Sequence, residues 1–111
     1  MASETTDGFF DDECGVACPV ARTARLIEGK WTTLIIRDLM TGKKRYSELQ
    51  RSLVGISPKV LAERLKFLED EGLITRKEYP VMQRHTEYEL THLGTHLKGV
   101  IAAMAKFSEA R

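Results

Sequence analysis

The segment from Ser57 to Gly72, SPKVLAERLKFLEDEG, constrains the chain most, because it reads as a single helix with both ends specified. The hydroxyl of Ser57 suits an N-cap, and Pro58 fits the first helical position. Leu61, Leu65 and Leu68 recur at i, i+4 and i+7, flanked by Val60 and Phe67, and Gly72 suits the left-handed residue that ends a helix. At about 100° per residue, Lys59, Ala62, Glu63 and Lys66 fall on the face opposite the leucines. One face therefore needs a core, and the other is left to meet solvent or a partner.

The neighbouring segments supply that core. Leu73–Tyr79 is rich in strand formers, and Thr86, Tyr88 and Leu90 alternate with His85, Glu87 and Glu89, so a β-hairpin with PVMQR at its tip is expected. Upstream, Pro19 opens a helix carrying Val20, Ala24 and Ile27 as far as Gly29. A second helix runs from about Trp31 to Met40 with Leu34, Ile35, Leu39 and Met40 on one stripe. KKRYSELQRSL gives a short third helix through Tyr46, Leu49 and Leu53, and Gly55-Ile56 makes the turn into the opening helix. After the hairpin, Thr91 caps a single last helix with Leu93, Leu97, Ile101 and Met104, ending near Ser108. The expected class is mainly α with a small β-hairpin, in one domain, since 111 residues do not furnish two independent cores.

A short helix, a glycine turn and a capped second helix make a helix-turn-helix, whose second helix enters the DNA major groove, and a basic hairpin directly after it makes a wing. Charge agrees with this. Five of the 16 acids (Glu4, Asp7, Asp11, Asp12, Glu13) precede the first base, Arg22, which leaves residues 14–111 with 17 bases against 11 acids. Residues 43–84 alone hold ten bases and six acids, an excess suited to phosphate neutralisation. No run approaches the roughly 18 apolar residues of a membrane span, and the acidic start is unlike a secretory signal, so a cytoplasmic protein with no membrane partner is expected.

Candidate DNA contacts follow from the helix wheel. Lys59 and Lys66 face outward with Ala62, whose methyl can meet a thymine methyl, and Ser57 lies at the helix start near a phosphate. A merely solvated face is the competing reading, which Glu63 favours a little. Arg45, Arg76, Lys77 and Arg84 are further candidates for phosphate contact, with Arg84 at the projecting hairpin tip. Arg64 falls inside the apolar arc, where a guanidinium needs a partner; an ion pair with Glu48 is expected. Trp31, Tyr46 and Tyr88 sit on apolar periods and read as core. His92 and His96 lie one turn apart without an acid or cysteine to complete a metal site, so no metal or other cofactor is expected.

Cys14 and Cys18 are the only cysteines. Cys18 precedes Pro19 at a helix start, where the macrodipole favours thiolate, and Cys14 is near enough in sequence to resolve an oxidised Cys18 within the chain or across a dimer; a buried, inert cysteine is the alternative. Gly-rich phosphate loops, paired catalytic carboxylates, nucleophile elbows and metal boxes are missing from the sequence, so an enzyme is not expected.

Taken together, Cys18-Pro19, Gly29-Lys30-Trp31, Gly42, Arg45-Tyr46, Glu48-Leu49, Gly55-Ile56-Ser57, Leu61, Leu65, Leu68-Glu69, Gly72-Leu73-Ile74, Glu87-Tyr88, Leu90-Thr91 and Gly94 resemble the HxlR family of winged-helix regulators, which is related in architecture to the MarR group. The match spans about residues 18–104 in order. It departs at Glu28, where a second glycine is common, at Gln83-Arg84 in place of Pro-Pro, and at Thr86 in place of valine. The resemblance implies a winged helix-turn-helix over 18–111 with N- and C-terminal dimerisation helices, preceded by an acidic arm over 1–17. It implies a homodimer on an inverted-repeat operator in double-stranded DNA, with an oxidant, electrophile or small molecule as effector and Cys18 as sensor. The readings that stand beside it are a small-molecule-responsive regulator with inert cysteines and a winged helix used for protein-protein association.

Overall fold

The computed structural model describes residues 18–80 and 85–111; the arm over 1–17, which contains Cys14, and the tip residues 81–84, which include Arg84, lie outside them. In chain order the elements are α1 (Pro19–Ile27), α2 (Lys30–Leu39), β1 (Lys44–Arg45), α3 (Tyr46–Ser52), α4 (Pro58–Asp70), β2 (Ile74–Tyr79), β3 (His85–Leu90), α5 (His92–Thr95) and α6 (Leu97–Ala110). No helix among the described residues is long and apolar enough to cross a membrane.

Helix α4 forms as its sequence dictates. Ser57 Oγ accepts from the Val60 amide at 3.1 Å, and Pro58 occupies the first turn, where its missing N–H is no loss. Gly72, at φ +76°, closes the end in the left-handed region. Leu61, Leu65 and Leu68 are buried against Ile35, Ile36 and Leu39 of α2, with Leu49 and Leu53 from α3 and its end, Leu73 and Ile74 at the start of the wing, and Leu97 of α6 completing one cluster. Each such leucine contributes about 1.5–3 kcal/mol by leaving water.

Two expectations are corrected. The sheet has three strands, in antiparallel order β1-β3-β2, not two. The extra strand is only Lys44–Arg45, too short for alternation to declare it, and it exists because β3 offers it an edge. The last helix is also broken: α5 ends at Thr95, and His96 N donates to Leu93 O at 3.0 Å, a tightened turn before α6 begins.

That tightened turn follows a close approach of two backbone segments. A Cβ on Gly94 would lie 2.1 Å from the Leu73 carbonyl oxygen, so only glycine fits there. Thr91 secures the same joint: its Oγ1 donates to Gly72 O at 2.6 Å and accepts from Gly94 N at 3.0 Å, while its amide donates to Leu73 O at 3.0 Å. The end of α4, the root of the wing and the start of the C-terminal helices thus meet at a few hydrogen bonds. Beyond the joint, Leu97 is buried, Val100 and Ile101 are half-buried, and residues 102–111 are exposed, Met104 and Phe107 among them.

Gly94→Ala is expected to lower unfolding free energy in denaturant titrations by about 3 kcal/mol through overpacking. Gly99→Ala, whose Cβ meets nothing within 4 Å, serves as the control and raises it by about 0.5–1 kcal/mol through chain entropy. Tyr88 gives a pH test. Burial pushes its phenol above the ordinary value of 10.0, with Arg76 pulling the other way. The native state then holds this proton more tightly than the unfolded chain, so stability is full below pH 10.0 and falls as pH rises through the native value. Tyr88→Phe should flatten that part of the alkaline stability curve relative to wild type.

Candidate nucleic-acid interface

Because the leucine stripe of α4 is buried, the opposite stripe is turned out. Ser57, Lys59, Ala62, Glu63 and Lys66 are all exposed, the arrangement expected from the wheel. The positive end of the helix lies at the same edge, with Ser57 as its cap. Lys59 makes no ion pair among the described residues.

Lys66 stands differently. Its Nζ lies 2.9 Å from Asp70 Oδ1, and this bond raises the ammonium pKa above its ordinary value. Arg76 is likewise engaged, by Glu78 and by Glu69 Oε1 at 3.7 Å, and the Glu78 carboxylate raises its pKa as well. Both pairs are open to water, where such contacts exchange readily with competing anions. The Lys66–Asp70 pair has the i,i+4 spacing and was readable in the sequence; the Glu69–Arg76 contact joins a helix to a strand and was not.

Strand register decides which wing cations share this face. Arg76 and Lys44 both stand opposite Tyr88, whereas Lys77 and Arg45 stand opposite Glu87. Residues directly opposite in an antiparallel pair project to the same side, so Arg76 faces α4 with Tyr88 and Lys77 faces away. Accordingly Ala62, Lys66, Arg76, Tyr46 and Tyr88 line one groove of about 270 Å³. On the other side Glu87 is met by Lys43 Nζ at 3.8 Å and by His85 Nε2 at 3.4 Å. Arg45 is half-buried, its amide donates to Glu48 Oε1 at 2.7 Å, and its Nε has no hydrogen-bond partner among the described residues.

The expected Arg64–Glu48 ion pair is not formed. Glu48 is taken up by the Arg45 amide, which it caps, and Arg64 extends toward Gly29, with a guanidinium nitrogen 4.0 Å from where a Cβ would stand there. Trp31 and Tyr46 are half-buried against the core and Tyr88 is buried within it, in line with the sequence reading. The His92 and His96 rings meet edge to face at 5.1 Å, and no group of three metal-ligating side chains occurs among the described residues. Cys18 is buried at the N-cap of α1 and is disulfide-bonded; Cys14 lies outside the described residues. A second groove, about 530 Å³, runs between α1 and the end of α4 and is lined by Arg22, Arg25, Leu26, Glu28, Phe67 and Glu71.

Comparison with known proteins agrees with this architecture. The HTH-type transcriptional regulator sll1512 of Synechocystis is 38% identical over 106 residues, which cover 96% of this chain and 77% of that protein. Among solved structures, a transcriptional regulator of the MarR family from Porphyromonas gingivalis W83 superposes with a TM-score of 0.80 at 42% identity, over 89% of this chain and 93% of that one. The redox regulator HypR in its oxidised form superposes at 0.78 with 32% identity, over 85% and 97%. The family model described as HxlR-like helix-turn-helix matches residues 26–111, and the chain belongs to that family of DNA-binding transcriptional regulators, which are not enzymes.

Proposed function

We propose that the protein acts as a homodimer that places its two α4 helices in successive major grooves of an inverted-repeat operator. The outward face of α4, held opposite three buried leucines, carries this reading. Lys59 contacts phosphate, Ala62 meets a base edge, and the capped end at Ser57 approaches the backbone. Lys66 and Arg76 exchange their carboxylate partners for phosphates, and Arg84 extends the footprint along the wing, whereas Arg45, paired opposite Glu87, stands on the other side of the sheet. Helices α1 and α6 supply the dimer contact: Val20, Met104 and Phe107 are large apolar side chains exposed on them, a pattern that favours burial against a second copy. Half-sites then fall about one helical turn apart.

In the same proposal Cys18 is the switch. Two thiols, Cys18 with Cys14 of its own or the partner chain, give two electrons and two protons to an oxidant and join as a disulfide at the head of α1. Similarity to HypR, a redox regulator, and the disulfide-bonded state of Cys18 support this reading. A second reading rests on the groove between α1 and α4: a small molecule held there would act by favouring one separation of the two α4 helices over another.

Fluorescence anisotropy with duplex enriched from a random library checks both. Lys59→Ala should weaken binding several-fold and reduce the slope of log K against log salt by about 0.9. An unchanged slope would remove Lys59 from the interface. Diamide should reduce operator affinity of wild type and leave Cys18→Ser unaffected; equal loss in both would assign regulation to something other than this cysteine, and no loss in either would direct attention to the α1–α4 groove. Salt-insensitive behaviour with no duplex bound would instead favour an association module.

A further inference from the structure

The entry of α4 is tethered to α3 by two side chains of α3. Gln50 Nε2 donates to the Ile56 carbonyl at 3.2 Å, in a partly buried bond, and Tyr46 Oη lies 3.4 Å from the Pro58 carbonyl. The two residues are one turn apart on α3, so their side chains stand in one row. Their targets flank Ser57, the cap of α4. One helix face therefore grips the backbone on both sides of the point at which the recognition helix begins.

The rest of the turn strengthens that grip. Ile56 N donates to Leu53 O at 3.0 Å, and the Ile56 side chain is buried. Gly55 takes φ +95°, and the Trp31 ring lies 3.9 Å from where a Cβ would stand on it. Packing thus fixes the depth of the turn. Burial of the leucine stripe decides which face of α4 turns outward, and the hydrogen bonds at its entry, being directional, trim its angle within that limit. Gln50 has the shorter contact and the greater shelter from water, so it carries the larger share.

We infer that Gln50, seconded by Tyr46, is a positioning residue for sequence selectivity: it sets the angle at which α4 presents its outer face, and so governs base reading more than general attraction to DNA. The reason is a difference in tolerance. Base-edge hydrogen bonds demand a fixed geometry, whereas phosphate attraction depends on charge and distance and survives a small rotation. The inference rests on α4 being the reading helix, as proposed above.

The test uses the full chain and two duplexes of equal length, one enriched by wild type from a random library and one of scrambled sequence. Gln50→Met keeps the length of the side chain and removes its donor; Tyr46→Phe removes only the hydroxyl. Melting temperature is followed alongside. Gln50→Met is expected to lower the enriched-to-scrambled affinity ratio about tenfold, leaving scrambled-duplex affinity and its salt slope within about twofold of wild type, because no phosphate contact is lost. Tyr46→Phe should lower the enriched-to-scrambled ratio to a smaller extent, and it keeps the question decidable if Gln50→Met does not fold. Affinities that fall together on both duplexes, or a ratio unchanged in both variants, would overturn the assignment. Failure of wild type itself to enrich any sequence would overturn the reading of α4 along with it, and is recognised by occurring before any variant is made.

Discussion

Everything in this fold depends on the burial of one stripe of α4. Leu61, Leu65 and Leu68 leave water together against Ile35, Ile36 and Leu39, and a helix is rigid enough that fixing one face fixes the other. The exposed stripe is thus aimed by apolar packing on the far side of the same helix. This separation lets the outer surface vary while the scaffold stands: a change at Ala62 or Lys66 alters that surface without touching a leucine.

Much of the fold was legible because its signals are local. Caps at Ser57 and Thr91, the stop at Gly72 and the i, i+4, i+7 leucines each act within a few residues, and each lies where the sequence placed it. What escaped was set by distant partners. The strand at Lys44–Arg45 requires β3, more than forty positions away, and the break at His96 accompanies the pressure of Gly94 on Leu73. Arg64 was misjudged for a similar reason: its wheel position was right, but Glu48 had a nearer donor in the Arg45 amide.

The candidate interface was legible in its membership more than in its electrostatics. Exposure of Lys59, Ala62 and Lys66 followed from periodicity, yet counting bases overstated how many are unengaged. Lys66 and Arg76 are partnered by Asp70, Glu69 and Glu78, so any incoming anion would compete with carboxylates already in place. Register also divided the wing, sending Arg76 toward α4 and Lys77 to the opposite side. A net charge carries no such information, because it has no direction.

The joint at Thr91 and Gly94 has a mechanical side. Between the Leu73 carbonyl and Gly94 at the start of the C-terminal helices there is no room for even one methyl group, so the joint leaves the two segments little space to slide. Helix α6 then works as a lever. At 14 residues it is about 21 Å long, and a tilt of about 10° at its root carries its far end about 4 Å. In a dimer gripped by those far ends, the same ratio would run in reverse: a small slip at the grip would turn the body of the fold, passed on through a joint with little slack.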